Sequence, residues 1–467
     1  MSKPSTYTIS GLSKAYRQGQ ASPVQVIEHY LDAIFSHDSH LGAYQEVWAE
    51  TALNMALASE KALSSGYDLG PFHGIPFALK DIFHVQGKVT TCGSAAMVDH
   101  VAGETSTVVS RLIEAGGIIL GKTKTVECAF GGWGTNQKMG TPKNPWDMNT
   151  HRVPGGSSSG SAVAVAAKMA VCGVGSDTGG SVRLPAAFCG LVGLKVTANR
   201  LPLDGIMPLS QTLDTPGPIA QTVEDALIMF EAMDGQEGWK ILKNLNQRTG
   251  LYAQLHKGVA GLRLGSITPE ERQLCSQDIL NAYDMALERL ASLGAVIETF
   301  HNPIPYGELA DDNGLITAVE AYTNHGSYYE DLNLPMDEDV RKRMLSGKTH
   351  LGHEYATQIE KRKRRIAEFE MALNGFEGQG FDALVTPSIV DVAPAVTDAD
   401  QGFAPGYFTR PFNYLEMCGL SLPIDLNKNG LPTSLQIIGR AHDEAMVLRI
   451  GAALEKDLPP IGLPDLG

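Results

Sequence analysis

Apolar residues recur along the chain in two patterns, one typical of helices and one typical of strands. Between positions 24 and 34 they follow the 3.6-residue period of an amphipathic helix. Ser22-Pro23 directly precedes this run and is a typical helix start, with Gln25 placed for a capping box. By contrast, the short apolar run Ile75–Leu79 follows Gly74 in a stretch punctuated by Gly and Pro, which predicts a buried strand.

The same two patterns alternate through the rest of the chain. The other predicted helices are Glu50–Ser64, Thr105–Glu114, Ala162–Ala167, Val223–Met233 and Ile279–Leu293. The other predicted strands are Ile118–Leu120, Leu384–Pro387 and Leu435–Ile438. This alternation predicts an α/β protein whose sheet is covered by helices. No repeat, low-complexity segment or linker interrupts the 467 residues, so one large domain over residues 1–467 is expected.

Charge and cysteine content narrow the classes of function. A net charge of −15 argues against nucleic acid as the main partner. The polar segment Met1–Gly11 lacks the pattern of a secretory signal, and no window is apolar enough to span a membrane. The six cysteines are scattered without a CxxC pair, which favours free thiols in a reducing compartment. We therefore expect a cytoplasmic protein that contacts neither membrane nor nucleic acid.

Three glycine-containing segments hold candidate catalytic groups, and the first of them has a lysine near its end. In Gly74–Asp81, Lys80 follows the predicted strand Ile75–Leu79. If Lys80 is buried, its pKa falls and the neutral amine can accept a proton. The alternative is a surface lysine paired with Asp81.

The other two segments combine glycine with hydroxyl side chains. Gly155–Ser161 alone could be a flexible linker or the start of a helix. Gly175–Arg183 could gather backbone amides into an anion site. It lacks the spacing of a phosphate-binding P-loop, and beside a nucleophile the same amides would form an oxyanion hole.

In this order and spacing, the three segments resemble the amidase signature family. The resemblance rests on GGSSSGSA from Gly155, on GSDTGGSVRLPAAFCGLVGLKVT ending at Thr197, and on GPFHGIPFALKD ending at Asp81. It continues at Leu213–Pro218 and at Gly430–Gly439, and so covers nearly the whole chain. The family's KPT is replaced here by Lys195-Val196-Thr197.

The resemblance implies a fold and a set of catalytic roles. The fold is a single α/β/α domain with a large mixed sheet and a catalytic core at about residues 70–220. Ser181 would be the nucleophile, Ser157 the proton relay, and Lys80 the base, with a non-proline cis peptide at Ser157. The oxyanion hole would be formed by backbone amides of Thr178, Gly179, Gly180 and Ser181. This chemistry needs no metal or organic cofactor, and the histidines form no ligand pattern.

Several polar residues near these groups are expected to be structural. We expect Asp177 and Arg183 to form an ion pair that fixes the turn before the nucleophile. We interpret Ser158, Ser159 and Ser161 as helix-cap or structural hydroxyls. The basic run Lys361–Arg365 resembles a nuclear localisation sequence, but nearby glutamates favour a helix face.

Two regions are expected to form the substrate pocket. Gly131, Gly132 and Trp133 are candidates for its wall, and Cys128 is a candidate for the acyl site, although a buried structural thiol is the alternative. The region 302–407 matches the family motifs least, so we expect it to contribute a variable part of the pocket. Its aromatic residues suggest an apolar cavity: Tyr322, Tyr328, Tyr329, Phe403 and Tyr407.

The resulting expectation is an amidase that hydrolyses the C–N bond of a small-molecule amide, with aryl amides and carbamates (urethanes) favoured. One alternative is the amide-hydrolysing component of a glutamine-dependent tRNA amidotransferase, its A subunit, which would use the same triad to release ammonia. Another is an inactive family member retained as a binding protein, which an intact set of Lys80, Ser157 and Ser181 disfavours. The sequence leaves the oligomeric state open, with a homodimer as the default.

Overall fold

The computed structural model describes residues 8–376 and 379–466 and contains eleven strands in one sheet. The strands are β1 (Tyr44–Val47), β2 (Pro76–Lys80), β3 (Ile118–Thr123), β4 (Cys172–Asp177), β5 (Val192–Lys195), β6 (Thr215–Ala220), β7 (Arg263–Ser266), β8 (Val296–Thr299), β9 (Ala383–Pro387), β10 (Cys418–Leu426) and β11 (Pro432–Gly439).

Helices connect these strands and cover the sheet. They are α1 (Ile9–Arg17), α2 (Pro23–Leu41), α3 (Ala49–Ser64), α4 (Thr107–Glu114), α5 (Ser159–Ala166), α6 (Arg183–Cys189), α7 (Val223–Met233), α8 (Gly238–Gln247), α9 (Gly250–Leu255), α10 (Pro269–Arg272), α11 (Gln277–Ser292), α12 (Tyr306–Glu330), α13 (Glu338–Ser346), α14 (Gly352–Asn374), α15 (Arg410–Tyr414) and α16 (Glu444–Asp457). No helix among the described residues is both long and apolar enough to cross a bilayer.

The sheet is mixed, as expected, with the strand order β1-β3-β2-β4-β6-β5-β10-β11-β9-β7-β8. β2 runs parallel to its neighbours β3 and β4, and β7 runs parallel to β8 and β9. The other neighbouring strands are antiparallel. The prediction of a single α/β domain is confirmed.

All the predicted helices and strands are present, with boundaries shifted by a few residues. Helix α2 begins after Ser22, whose side chain accepts a hydrogen bond from the backbone amide of Gln25. Helix α5 starts three residues before the predicted Ala162 because it includes the hydroxyl-rich end of the glycine/serine segment. All eight of its residues are buried, since Ala, Val, Gly and Ser are small enough to pack closely against β2 and β4.

Two predictions about side chains outside the site are also confirmed. All six cysteines are free thiols, and five of them are buried. The basic run Lys361–Arg365 lies in α14, where Lys361 pairs with Asp312 at 2.9 Å and Arg362 with Glu416 at 3.0 Å. The run is therefore a helix face with ion pairs to neighbouring elements.

Candidate active site

The candidate site lies where β2 and β4 end side by side. The two strands are parallel and directly paired, so their carboxyl ends meet at the same edge of the sheet. Lys80 is the last residue of β2, and Ser176 and Asp177 are the last two of β4. The sheet therefore places a lysine beside the chain segment that leads into the turn containing Ser181.

Lys80 is fully buried and forms hydrogen bonds with two serine hydroxyls. Its Nζ atom lies 2.7 Å from Ser157 Oγ and 2.8 Å from Ser176 Oγ. Burial lowers the pKa of Lys80 to about 7, even though the carboxylates of Asp214 and Asp177 oppose the shift. The neutral amine is therefore accessible to Lys80 near neutral pH.

The alternative of a surface lysine paired with Asp81 is excluded. Asp81 pairs instead with Lys122, whose Nζ atom lies 3.0 Å from Asp81 Oδ1. Asp81 Oδ2 accepts a further hydrogen bond from the backbone amide of Thr91 at 3.1 Å. Each of these two buried lysines thus has its own set of partners.

Ser157 reaches Lys80 from the buried turn that precedes α5. The peptide bond between Gly156 and Ser157 is cis. The Ser157 carbonyl oxygen accepts hydrogen bonds from Thr125 Oγ1 at 2.9 Å and from the Val126 amide at 3.2 Å. A Cβ atom on Gly156 would lie 2.6 Å from the Gly134 backbone nitrogen, so only glycine fits here. This packing fixes the turn and excludes the interpretation of a flexible linker.

The other three serines of the glycine/serine segment, Ser158 in the turn and Ser159 and Ser161 in α5, have structural contacts, as expected. Ser158 Oγ accepts from the Ser176 amide at 3.2 Å and joins the turn to β4. Ser161 Oγ lies 2.7 Å from Thr123 Oγ1 and donates to the Val174 carbonyl at 3.0 Å. Ser159 Oγ makes a longer contact, 3.5 Å, with the Lys124 carbonyl.

Ser181 lies in the turn between β4 and α6 and lines a cavity. Its carbonyl oxygen accepts from the Ser158 amide at 3.3 Å, which ties the two glycine-rich turns together. Within the described residues, Ser181 Oγ and Ser157 Oγ form no hydrogen bond. Hydrogen bonds between catalytic groups are often long before substrate binds, so this geometry is compatible with a relay.

The backbone amides of the Ser181 turn divide into two groups. The Gly180 amide donates to Asp177 Oδ1 at 2.7 Å and so already has a partner within the turn, and its role in the oxyanion hole stays a prediction. The amides of Thr178, Gly179 and Ser181 have no protein acceptor among the described residues. Three of the four expected donors are therefore available.

Asp177 and Arg183 form the expected ion pair. Both side chains are fully buried, with Arg183 Nη2 2.9 Å from Asp177 Oδ1 and Nε 3.0 Å from Oδ2. Burial alone would raise the pKa of Asp177, but the Arg183 guanidinium outweighs it and holds the pKa well below its ordinary value. Asn413 Nδ2 also donates to Asp177 Oδ1 at 2.9 Å. Because Asp177 accepts from the amides of Gly180 and Val182 as well, the ion pair fixes the shape of the Ser181 turn.

The cavity beside Ser181 has a volume of about 600 Å³, which is sufficient for a small organic molecule. Gly131, Gly132 and Trp133 line it, as expected. Trp133 Nε1 donates to the carbonyls of Asp400 and Phe403, both at 2.9 Å, so the indole is held in place.

Cys128 does not line the cavity, so that part of the expectation is wrong. The chain turns inward at this residue, which has a positive φ of 48° and donates its amide to the Cys92 carbonyl at 2.7 Å. Cys128 is only 1% exposed. The alternative of a buried structural thiol describes it correctly.

The expectation that the aromatic residues of region 302–407 form the cavity wall is largely wrong. Of the five aromatic residues between 302 and 407 that suggested it, only Phe403 lines the cavity. Tyr329 is buried elsewhere, and Tyr407 packs edge-on against Tyr306 and Phe408. Helix periodicity cannot tell which of several tyrosines faces a cavity that is closed by distant segments.

The charged residues of the cavity were not predicted from the sequence. Lys342 and Arg343 come from α13, and Arg410 begins α15. Asp339 and Asp400 add two carboxylates. None of these residues belongs to a recognisable motif, so the sequence contained no signal that would have identified them.

Comparisons with known proteins relate the whole chain to one group of enzymes. A family model described as "Amidase" matches residues 25–448. The chain is 34% identical over 445 residues to a 2-amino-5-chloromuconic acid deaminase from Comamonas testosteroni, covering 92% of each protein. It is 31% identical to the A subunit of the Glutamyl-tRNA(Gln) amidotransferase from Alkaliphilus metalliredigens, covering 97% of this chain and 96% of that one.

Solved structures with the same fold include amidases. One crystal structure of an amidase superposes with a TM-score of 0.86 at 28% identity, covering 97% of this chain and 100% of that one. The peptide amidase from Stenotrophomonas maltophilia superposes with a TM-score of 0.83 at 26% identity, covering 98% of each chain.

Proposed function

This chain belongs to the amidase family, and from that premise we propose that it hydrolyses the C–N bond of small amides with Ser181 as nucleophile. Ser157 relays the proton and Lys80 is the base. The observation on which this proposal rests is the buried 2.7 Å hydrogen bond between Lys80 and Ser157, next to the turn that presents Ser181 to a cavity.

The proposed reaction starts from neutral Lys80. As the Ser181 oxygen bonds to the amide carbonyl carbon, its proton passes to Ser157 Oγ, and the Ser157 proton passes to Lys80 Nζ. The carbonyl oxygen becomes an oxyanion, and we assign its stabilisation to the amides of Thr178, Gly179 and Ser181. One such donor typically contributes about 3 kcal/mol.

The same groups then return the proton. Protonated Lys80 gives it back through Ser157 to the leaving nitrogen, the C–N bond breaks, and the amine departs. A water molecule attacks the acyl-enzyme ester by the reverse route and releases the acid. This route uses no metal or organic cofactor.

The cavity wall supports substrates with an apolar or aromatic part. Phe130, Trp133 and Phe403 line one cavity with Ser181, and the Trp133 indole is fixed by its two hydrogen bonds. Aryl amides and carbamates (urethanes) are therefore the substrate classes that we propose to test first.

A second candidate function is that of the A subunit of a tRNA amidotransferase. It is favoured by full-length relatives with that name at about 31% identity. Such a protein would release ammonia from glutamine and pass it to a partner chain. It predicts glutaminase activity and a stable complex with a second protein.

Hydrolysis of a small substrate panel distinguishes these functions. The panel contains a p-nitroanilide, an aliphatic amide, an aryl carbamate and glutamine, each tested with the wild type, Ser181→Ala and Ser161→Ala. Ser161 is a matched control because it is a buried serine of the neighbouring helix α5 whose hydroxyl bonds only structural groups. Turnover of the anilide or carbamate, lost in Ser181→Ala and retained in Ser161→Ala, supports the proposal. Turnover of glutamine alone would favour the amidotransferase, and equal turnover by wild type and Ser181→Ala would refute the assigned nucleophile.

A further inference from the structure

Arg410 lies between the Ser181 turn and helix α12, at the wall of the cavity. Two glycines make room for its side chain. A Cβ atom on Gly179 would lie 3.1 Å from Arg410 Cγ, and one on Gly314 would lie 2.6 Å from Arg410 Nη2. The guanidinium therefore occupies space that an alanine in α12 would fill.

The guanidinium has few partners of its own. Its Nε atom donates to Asn313 Oδ1 at 3.2 Å. Within the described part of the chain, no carboxylate forms an ion pair with it, and its Nη atoms donate no hydrogen bond to protein. Burial lowers the pKa of Arg410, while the charge of Asp311 opposes the shift.

Three other arginines of low side-chain exposure each pair with a carboxylate. Arg183 pairs with Asp177 at 2.9 Å, Arg362 with Glu416 at 3.0 Å, and Arg365 with Asp312 at 2.9 Å. Arg343, which also lines the cavity, donates to the carbonyls of Phe130 and Gln401. Arg410 is thus a cation with free donors, close to the proposed nucleophile.

Gly314 strengthens this interpretation. Glycine within a helix is unfavourable because it gains no packing and loses much backbone freedom. Position 314 lies inside the long helix α12, and the atom nearest to its missing side chain is Arg410 Nη2. The glycine therefore leaves space for the guanidinium and lowers the stability of helix α12.

We propose that Arg410 binds a carboxylate group of the substrate, so that the enzyme selects amides with an anionic substituent. An arginine presents its Nη donors in a fork that matches a carboxylate, and the pair is stronger where water is excluded. The inference rests on the proposed function, because it assumes that the substrate occupies the cavity beside Ser181. It adds an anionic end to the aromatic part that the wall around Trp133 accommodates.

Charge selectivity separates this role from a structural one. If Arg410 only supports Asn313 and the turn, its removal weakens the binding of every substrate by the same factor. If it binds a carboxylate, its removal weakens the binding of an acid but not the binding of the uncharged ester of that acid. Binding to Ser181→Ala, measured by calorimetry, gives this comparison without turnover.

Two pairs of probes test the two places that a carboxylate could occupy. On the acyl side the pair is glutaryl p-nitroanilide and its methyl ester, and on the leaving-group side it is N-acetyl-4-aminobenzoate and its methyl ester. We expect the acid to bind at least about tenfold more tightly than the ester in one pair. In Ser181→Ala/Arg410→Gln this preference disappears, while the ester binds within about threefold of its original affinity.

Gly314→Ala provides a second variant that leaves Arg410 in place but displaces its guanidinium. We expect it to fold normally, as checked by thermal unfolding, and to reduce the preference for the acid. Equal affinity for acid and ester in both pairs, a preference that survives Arg410→Gln, or no binding of any probe would overturn the inference. Turnover of the neutral esters by wild type, with no preference for the acids, would leave the proposed function intact and reject only the role of Arg410.

Discussion

Lys80 Nζ and Ser157 Oγ lie 2.7 Å apart in a site from which solvent is excluded. Lys80 is the last residue of β2, and Ser157 belongs to a turn that is 77 positions further along the chain. The contact has a direct chemical consequence, because only an unprotonated amine can accept a proton from the serine. Burial lowers the pKa of Lys80 to about 7, which makes that form available near neutral pH.

The first prediction concerns the pH dependence of the reaction. Since Lys80 must be neutral to act as a base, kcat/KM for an uncharged amide should rise tenfold per pH unit below about 7 and level off above it. A series of initial rates between pH 5 and 9 measures this. A rate that is independent of pH below 7, or that falls as the pH rises through 7, would contradict the assignment of Lys80 as the base.

The second prediction concerns the relay. Lys80→Met and Ser157→Ala should each lower kcat by a factor of about 10³ or more, because Ser181 then has no route for its proton. The double variant should lose little beyond either single one, since the two residues act as a unit. Ser161→Ala is the control and should retain activity within a few-fold. Additive losses in the double variant would show that the two groups act independently.

The third prediction concerns the ion pair under the Ser181 turn. Arg183→Met leaves the fully buried Asp177 carboxylate without its counter-ion, so the free energy of unfolding should fall by about 3–5 kcal/mol. Glu298→Gln breaks the exposed pair with Arg263 and should lower the free energy of unfolding by less than about 1 kcal/mol. Urea unfolding of both variants measures the difference. Similar losses in the two would contradict a structural role for the buried pair.

The fourth prediction concerns Gly180. This residue has a φ of +128°, and a Cβ atom there would lie 2.3 Å from Thr409 Oγ1. Gly180→Ala should therefore distort the turn and lower kcat by about 10² or more, the size of effect seen when an oxyanion donor is lost. Gly430→Ala is a matched control, because Gly430 also has a positive φ, +74°, but has no atom within 4 Å of the added Cβ. Equal activity of the two variants would mean that the shape of the turn does not affect the reaction.

Much of the fold could be predicted because it depends on local patterns. The run Ile75–Leu79 is apolar and follows Gly74, and all but its first residue lie in β2, which ends at Lys80. The small residues of α5 predict close packing, and all of them are buried. The Asp177–Arg183 pair was predictable as well, because the two residues flank one turn.

The pocket could not be predicted, because its wall is assembled from distant segments. Arg410 lies more than two hundred positions from Ser181 in sequence, and only the packing of α12 and α15 places it at the same cavity. Cys128 is adjacent to the wall residue Ala129 in sequence, but its side chain is buried and does not line the cavity. The hydrogen bond from the Gly180 amide to Asp177 also depends on the path of the backbone through the turn, which a glycine-rich sequence does not specify.

Covalent labelling identifies the nucleophile without knowledge of the substrate, and so tests the assignment of Ser181 by itself. The protein is treated with phenylmethylsulfonyl fluoride, digested, and analysed by mass spectrometry for the modified residue. We predict a sulfonyl group on Ser181 alone, at a rate that falls strongly in Lys80→Met and is unchanged in Ser161→Ala. Modification of a different residue, or equally fast labelling of Ser181→Ala, would contradict the account.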